Sequence, residues 1–238
     1  MTTTLAVMRI SVLLMASVLV AGCSHAAAPS AEQSSTHPGP SASPTTAPSA
    51  TLSKPSTAPT AAPERGSDIG AVIAWVEAGT SSDVAGFHAA TRDGVATDLG
   101  PDVAFVVGDR LNCMTDKTFN GALACLTHPT APLPQPADTF GHWVPGWVDF
   151  EGSTVEVGSV HGDPGRFDNG TGPQLPTGHS LAFGDYRCRA DGATVVCVNY
   201  AHRTAVRLSD SGVEPFGCLK PVTPPASGFG QQFECKPA

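Results

Sequence analysis

Residues 104–125, AFVVGDRLNCMTDKTFNGALAC, and residues 181–197, LAFGDYRCRADGATVVC, follow one plan. Each has an apolar run, a Gly-Asp step, a cysteine three or four residues on, and a returning apolar run that ends in a cysteine. Gly-Asp between short apolar runs marks a turn, and the flanking runs read as strands. Each copy therefore predicts a hairpin stapled by a disulfide. In the second copy, a four-residue loop Asp191-Gly192-Ala193-Thr194 would set Cys188 directly opposite Cys197. A two-residue Asp-Gly turn would leave them one diagonal step apart, a marginal geometry for bridging. Two copies suggest an internal duplication and do not reach the three repeats that a solenoid needs.

The same pattern recurs as Val103–Val107, Ala122–Leu126, Trp147–Phe150, Thr154–Val157, Ser180–Phe183, Thr194–Asn199 and Thr204–Leu208, separated by Gly, Pro, Asp and Asn. Short strands with turn signals between them predict a mostly β domain, an antiparallel sandwich or barrel-like fold. One segment breaks the pattern. Ile69, Val72, Ile73 and Val76 fall at helical spacing, with Ser67 or Asp68 placed to cap the start and Gly79 to end it. This predicts one short N-terminal amphipathic helix.

The chain has seven cysteines. Six of them, Cys113, Cys125, Cys188, Cys197, Cys218 and Cys235, fall in the strand-rich part, an even number that points to disulfides. Nearest-neighbour pairing, 113–125, 188–197 and 218–235, is the simplest of the connectivities open to them. The zinc alternative lacks a C-x₂-C pair.

The N-terminus reads differently. Arg9 is the only charge ahead of the apolar run Ile10–Val20, which is the layout of a secretory signal and too short for a spanning helix. That run ends in Val20-Ala21-Gly22-Cys23, which resembles the bacterial lipobox. The resemblance implies a signal peptide over residues 1–22 and an acylated Cys23 as the new N-terminus. Several acyl chains together anchor a protein firmly, whereas one anchors marginally. Residues 24–66 are Ala, Pro, Ser and Thr with almost nothing else, a composition that cannot bury enough apolar surface to offset its chain entropy. The expectation is a tether over residues 23–66, with an upper reach of about 130 Å as polyproline II, carrying a domain over residues 67–238.

Charge narrows the partners. Residues 1–22 hold Arg9 and no acid, so the processed chain has 12 positive and 21 negative groups, net −9. An acidic chain argues against nucleic acid and against a polybasic membrane patch.

Three stretches invite a chemical reading. Gly178-His179-Ser180-Leu181-Ala182 is one residue short of the G-x-S-x-G nucleophile elbow, but a strand and a turn follow it where the elbow needs a helix. The loop at 161–170, HGDPGRFDNG, offers His161, Asp163, Asp168 and Asn169 as a ligand set. Its two carboxylates are five residues apart, where a calcium loop wants ligands at alternate positions, and Asp163-Pro164-Gly165 is explained by a β-turn alone. Trp143 and Trp147 flank Pro145-Gly146 and offer an aromatic ledge for a sugar, with core packing as the competing role. The histidines lack i, i+4 spacing. No catalytic, metal or cofactor motif emerges, and the expectation is a non-enzymatic module without a cofactor.

Taken together, the lipobox, the Ser/Thr/Pro tether, Trp75-Val-Glu-Ala-Gly, Trp147-Val-Asp-Phe, His161-Gly-Asp-Pro-Gly, and Gly184-Asp-Tyr-Arg-Cys with Cys197-Val-Asn-Tyr resemble the conserved lipid-anchored proteins of the mycobacterial envelope that have no assigned activity. The resemblance implies an exported protein held at the extracytoplasmic face of the plasma membrane. Its implied partners are the membrane, through the anchor, and a cell-wall glycan or an envelope protein. Asn169-Gly-Thr171 matches an N-glycosylation acceptor, but the lipobox resemblance implies a bacterium, where that reading rarely applies. The alternative is an envelope hydrolase with a site near residues 161–180.

Overall fold

The structure, a computed structural model, describes residues 60–161 and 165–236. The signal segment, Cys23, most of the tether and Asp163 lie outside the described residues. The helix forms where its pattern places it, as α1 (Ile69–Glu77), with the Asp68 side chain accepting from Gly70 N at 2.7 Å. An N-cap carboxylate of this kind satisfies one of the orphan donors of the first turn. Packed chain begins ahead of the helix, with Pro63 buried and Ala62 against the helix cluster.

Fifteen strands follow among the described residues. β1 (Thr80–Ser81), β2 (Ala89–Arg92) and β3 (Val95–Asp98) precede a run of five, β4 (Ala104–Val107), β5 (Leu111–Asp116), β6 (Ala122–Leu126), β7 (Trp143–Phe150) and β8 (Thr154–Val160). A second run of five is β9 (His179–Phe183), β10 (Tyr186–Asp191), β11 (Thr194–Asn199), β12 (Thr204–Ser209) and β13 (Gly212–Phe216). β14 (Lys220–Pro221) and β15 (Gln231–Glu234) end the chain. Each run of five is an antiparallel meander in sequence order. The first becomes a seven-stranded sheet when β15 and β14 add to β8, and the second becomes six-stranded when β1 joins β9 in parallel.

The two meanders carry the two sequence copies at equivalent places. In each, a Gly-Asp turn joins the first and second strands, and a cysteine of the second strand stands directly opposite one of the third. The registers are Cys113↔Cys125 and Cys188↔Cys197, with Cα atoms 4.1 and 4.0 Å apart, and both pairs are bridged. The second hairpin has the register expected of the four-residue loop, but Asp191 pairs with Thr194, so the loop itself is Gly192-Ala193. Gly192 takes φ +60 and Ala193 does not turn positive, which is the pattern of a type II′ turn. The third bridge, Cys218–Cys235, ties the chain leaving the six-stranded sheet to the end of β15 in the other sheet. All three nearest-neighbour pairs form.

The sheets pack face to face as an open sandwich; neither closes into a barrel. Phe105, Val107, Leu123, Cys125, Val148 and Phe150 point inward from one side. Leu181, Phe183, Tyr186, Cys188, Cys197 and Val206 meet them from the other. The Tyr186 hydroxyl crosses the core to donate to Phe150 O at 2.8 Å, which satisfies a polar group that burial would otherwise penalise.

Both outer faces are partly covered as well. Val72, Trp75 and Val76 of α1 lie on Val196, Val198, Ala205 and Phe216. Phe167 and Ala90 cover Ala104, Met114, Ala124 and Trp147 on the other sheet. Residues 165–178, which join the two meanders, are laid along the exposed edge of β4. Val106 N donates to Pro173 O at 2.9 Å, and Leu175 N donates to Val106 O at 2.8 Å. Thr91 and Thr171 exchange bonds of 2.8 and 3.0 Å. Gly172 is required there, because a Cβ would sit 2.1 Å from the Ala104 carbonyl carbon. An edge paired in this way is closed to further strand addition.

Cys188→Ala with Cys197→Ala should lower unfolding stability by about 3 kcal/mol, the loop-entropy value for a short closed loop. Val95→Ser, on the exposed face of β3, should stay within about 0.5 kcal/mol. Urea unfolding of both variants checks this, and equal losses would contradict it.

Candidate functional site

A cleft of about 440 Å³ opens on the outer face of the seven-stranded sheet, beside the hairpin of β7 and β8. The strand alternation that sends Val148, Phe150, Val155 and Val157 into the core sends Asp149 and Glu156 outward, and the two stand directly opposite each other. Facing carboxylates repel, so the pair is an electrostatic cost built into the hairpin. Further along, three residues of β7, Pro145 to Trp147, stand against the single Gly158. Gly158 takes φ +71, and a Cβ there would lie 2.7 Å from the Trp143 ring. This irregularity breaks the alternation of β8. Ser159 and His161, which share the parity of the core residues Val155 and Val157, line the cleft beside Glu156. Bulges re-aim side chains in this manner.

His161 is held on two sides. Its ring stacks on Trp147 with centroids 3.4 Å apart and planes 22° apart, and its Nε2 lies 2.7 Å from Ser159 Oγ. Trp147 donates its indole N–H to Asp149 Oδ2 at 2.7 Å and meets Phe167 edge-on at 5.0 Å. The 3₁₀ turn Gly165–Asn169 carries Arg166 into the cleft, where its side chain is 7% exposed. Arg166 Nη1 donates to Ala122 O at 2.9 Å, Nη2 lies 3.8 Å from Asp149 Oδ1, and the guanidinium sits 5.1 Å from the Phe119 ring centroid. Glu156 accepts from Gln232 Nε2 at 3.4 Å. A second recess of about 310 Å³ shares Phe119, Ala122 and Glu151 with the cleft and adds Asp185, Asn199 and His202.

The carboxylates respond to this setting. Burial, reinforced by the charges of Asp149 and Glu151, pushes Glu156 up from 4.5 to about 6. Burial also raises Asp149, against the opposing pull of the Trp147 bond and of Arg166 and His161.

The sequence-expected ligand set separates. His161 lines the cleft, and Asp163 lies outside the described residues. Asp168 is exposed and ion-paired with Arg92, which also donates to its carbonyl at 2.9 Å. Asn169 donates to Arg166 O at 3.3 Å. Among the described residues, no group of three or more His, Cys, Asp or Glu is placed to hold a metal ion. Ser180 is buried on the six-stranded sheet, donating to Gly79 O at 3.4 Å, while His179 Nδ1 lies 3.3 Å from Ser82 Oγ. β9 leads through a Gly-Asp turn into β10, so the helix of a nucleophile elbow is replaced by a strand, and Ser180 lies in the six-stranded sheet whereas His161 follows β8 of the seven-stranded one. Trp147 is buried, and Trp143 donates its indole N–H to Leu133 O at 2.9 Å, so neither forms an open ledge.

The residues that build the cleft, Asp149, Glu156, Ser159 and Arg166, were not singled out in the sequence. The available signal was acids on the non-core parity of two adjacent strands, readable once the hairpin register is known. Comparison of the chain with protein-family models, with curated proteins and with solved structures finds no match.

Glu156 is a carboxylate raised in the folded state, so between about 4.5 and 6 the folded chain binds more protons than the unfolded one. Its contribution is therefore present below pH 4.5 and lost as pH rises through 6. Glu156→Gln removes that loss and keeps an acceptor for Gln232. The variant should be more stable than wild type by about 1 kcal/mol at neutral pH, after discounting for solvent screening, with no gain at acid pH. Urea unfolding at the two pH values tests this; a variant destabilised at neutral pH would contradict it.

Proposed function

We propose that the chain is an exported, lipid-anchored protein of the bacterial cell envelope whose β sandwich acts as a non-enzymatic binding module. One observation supports this most directly. The three bridges use all six cysteines of the sandwich, and the seventh cysteine is Cys23, which closes the lipobox-like Val20-Ala21-Gly22-Cys23. Local disulfides throughout a small domain suit an oxidising compartment. A single unpaired cysteine in an exported chain needs another fate, and acylation supplies it. The Ala/Pro/Ser/Thr-rich stretch would then hold the sandwich away from the membrane, within reach of a cell-wall glycan or an envelope protein. The net charge of −9 after signal removal disfavours nucleic acid.

A second reading, an envelope hydrolase with a site near residues 161–180, draws on the Ser159–His161 contact of 2.7 Å. It ranks second because both serines at hand are poorly exposed, Ser159 at 8% and Ser180 at 1%. A nucleophile must reach its substrate.

Cys23→Ala should move the protein from the membrane fraction to the soluble fraction when cells are separated by ultracentrifugation. A variant that stays wholly with the membranes would contradict the anchor.

A further inference from the structure

We propose that the cleft at the β7–β8 hairpin is a saccharide-binding site for a pyranose that is neutral or carries an amino group, with Arg166 as donor and Asp149 and Glu156 as acceptors. The inference rests on the binding-module reading and assigns its ligand class. The cleft, about 440 Å³, falls within the size range of small-molecule sites.

Arg166 is the first ground. A guanidinium has five N–H donors. Among the described residues Arg166, with its side chain 7% exposed, donates one hydrogen bond, to Ala122 O, and its 3.8 Å approach to Asp149 is too long to be a second. None of its nitrogens is both sealed from solvent and unbonded, so the remaining donors keep access to the cleft and can meet a ligand oxygen. Opposite them stand acceptors, the half-buried carboxylates of Asp149 and Glu156. Sugar hydroxyls both donate and accept, so one ring can satisfy the two sides together.

The walls supply the second ground. Phe119 is 59% exposed at the rim with the Arg166 guanidinium 5.1 Å from its ring, and Phe229 lines the cleft as well. Aromatic faces of this kind suit the apolar C–H face of a pyranose. Charge then selects among sugars. Asp149, Glu151 and Glu156 outnumber Arg166, and among the described residues no cation pairs with Glu151 or Glu156. An acidic sugar or a phosphate would be repelled, while an amino group would be attracted. The adjoining recess of about 310 Å³, which shares Phe119 and Glu151, gives room for a second ring.

Titration calorimetry of the full chain with glucosamine, N-acetylglucosamine, triacetylchitotriose and glucuronate tests the assignment. The first two should bind, and glucuronate should bind at least about tenfold more weakly. Triacetylchitotriose binding more tightly than the monosaccharide identifies a polymeric glycan as the source; equal affinity identifies a free sugar. Glu156→Gln should weaken N-acetylglucosamine binding about tenfold while its unfolding midpoint at neutral pH is no lower than that of wild type. Arg166→Lys, which keeps the charge and loses the fork, should weaken it similarly. The proposal is overturned if no sugar binds up to about 50 mM, a concentration that would saturate a Kd of about 10 mM. Glucuronate binding as tightly as glucosamine, or a folded Glu156→Gln binding like wild type, would overturn it equally. Failure of the anchor shows in the fractionation of Cys23→Ala and leaves this titration unaffected, so the two can fail independently.

Discussion

Two cysteines standing directly opposite each other across a hairpin fix its register, because a shifted alignment leaves their sulfur atoms at best marginally placed for bonding. The molecule uses this constraint once in each sheet, at Cys113–Cys125 and at Cys188–Cys197. A slip by one residue would turn every apolar side chain of the third strand to the wrong face. With both registers held, Leu123 and Cys125 point into the same space as Val195 and Cys197, and the two meanders close over a shared core. The third bridge draws the C-terminal strands of the chain back onto the first sheet. A domain with long connections between its strands thereby gains order in addition to what burial supplies.

From those registers the rest follows in layers. The run Thr194–Asn199 is apolar at consecutive positions, so it buries both faces, Val195 and Cys197 inward and Val196 and Val198 outward. The outward pair needs a cover, and α1 is that cover. On the other sheet the need is met by the β2–β3 hairpin and the strap of residues 165–178. The strap also closes the β4 edge and delivers Arg166 to the cleft. One segment thus joins the two meanders, protects an edge and completes the candidate site.

Much of this was legible in the sequence. The stapled hairpins, the cysteine pairing and the helix over Ile69–Val76 came from local patterns, and local patterns survive folding when each element buries what its own periodicity prescribes. The short strands Ala89–Arg92, Val95–Asp98 and Gln231–Glu234 were not read, since β3 is exposed throughout and β15 offers one apolar residue, the half-buried Phe233. Their pairing is set by what they lie against. The loop at 161–170 looked like a unit and is not one, because Asp168 turns away to Arg92 while His161 turns onto Trp147. The cleft itself depends on which residues β7 and β8 place opposite each other and on the break at Gly158. Neither is visible before the register is known.

The fold therefore depends on three local bridges more than on any one packing contact, and the placement of Asp149, Glu156 and Arg166 depends on the sheets that those bridges hold. Non-reducing proteolysis of the folded protein followed by mass spectrometry reads the bridges directly. It should recover peptides joined as Cys113–Cys125, Cys188–Cys197 and Cys218–Cys235. A bridge between the two hairpins, such as Cys113–Cys197, or free thiols at these six positions, would contradict it.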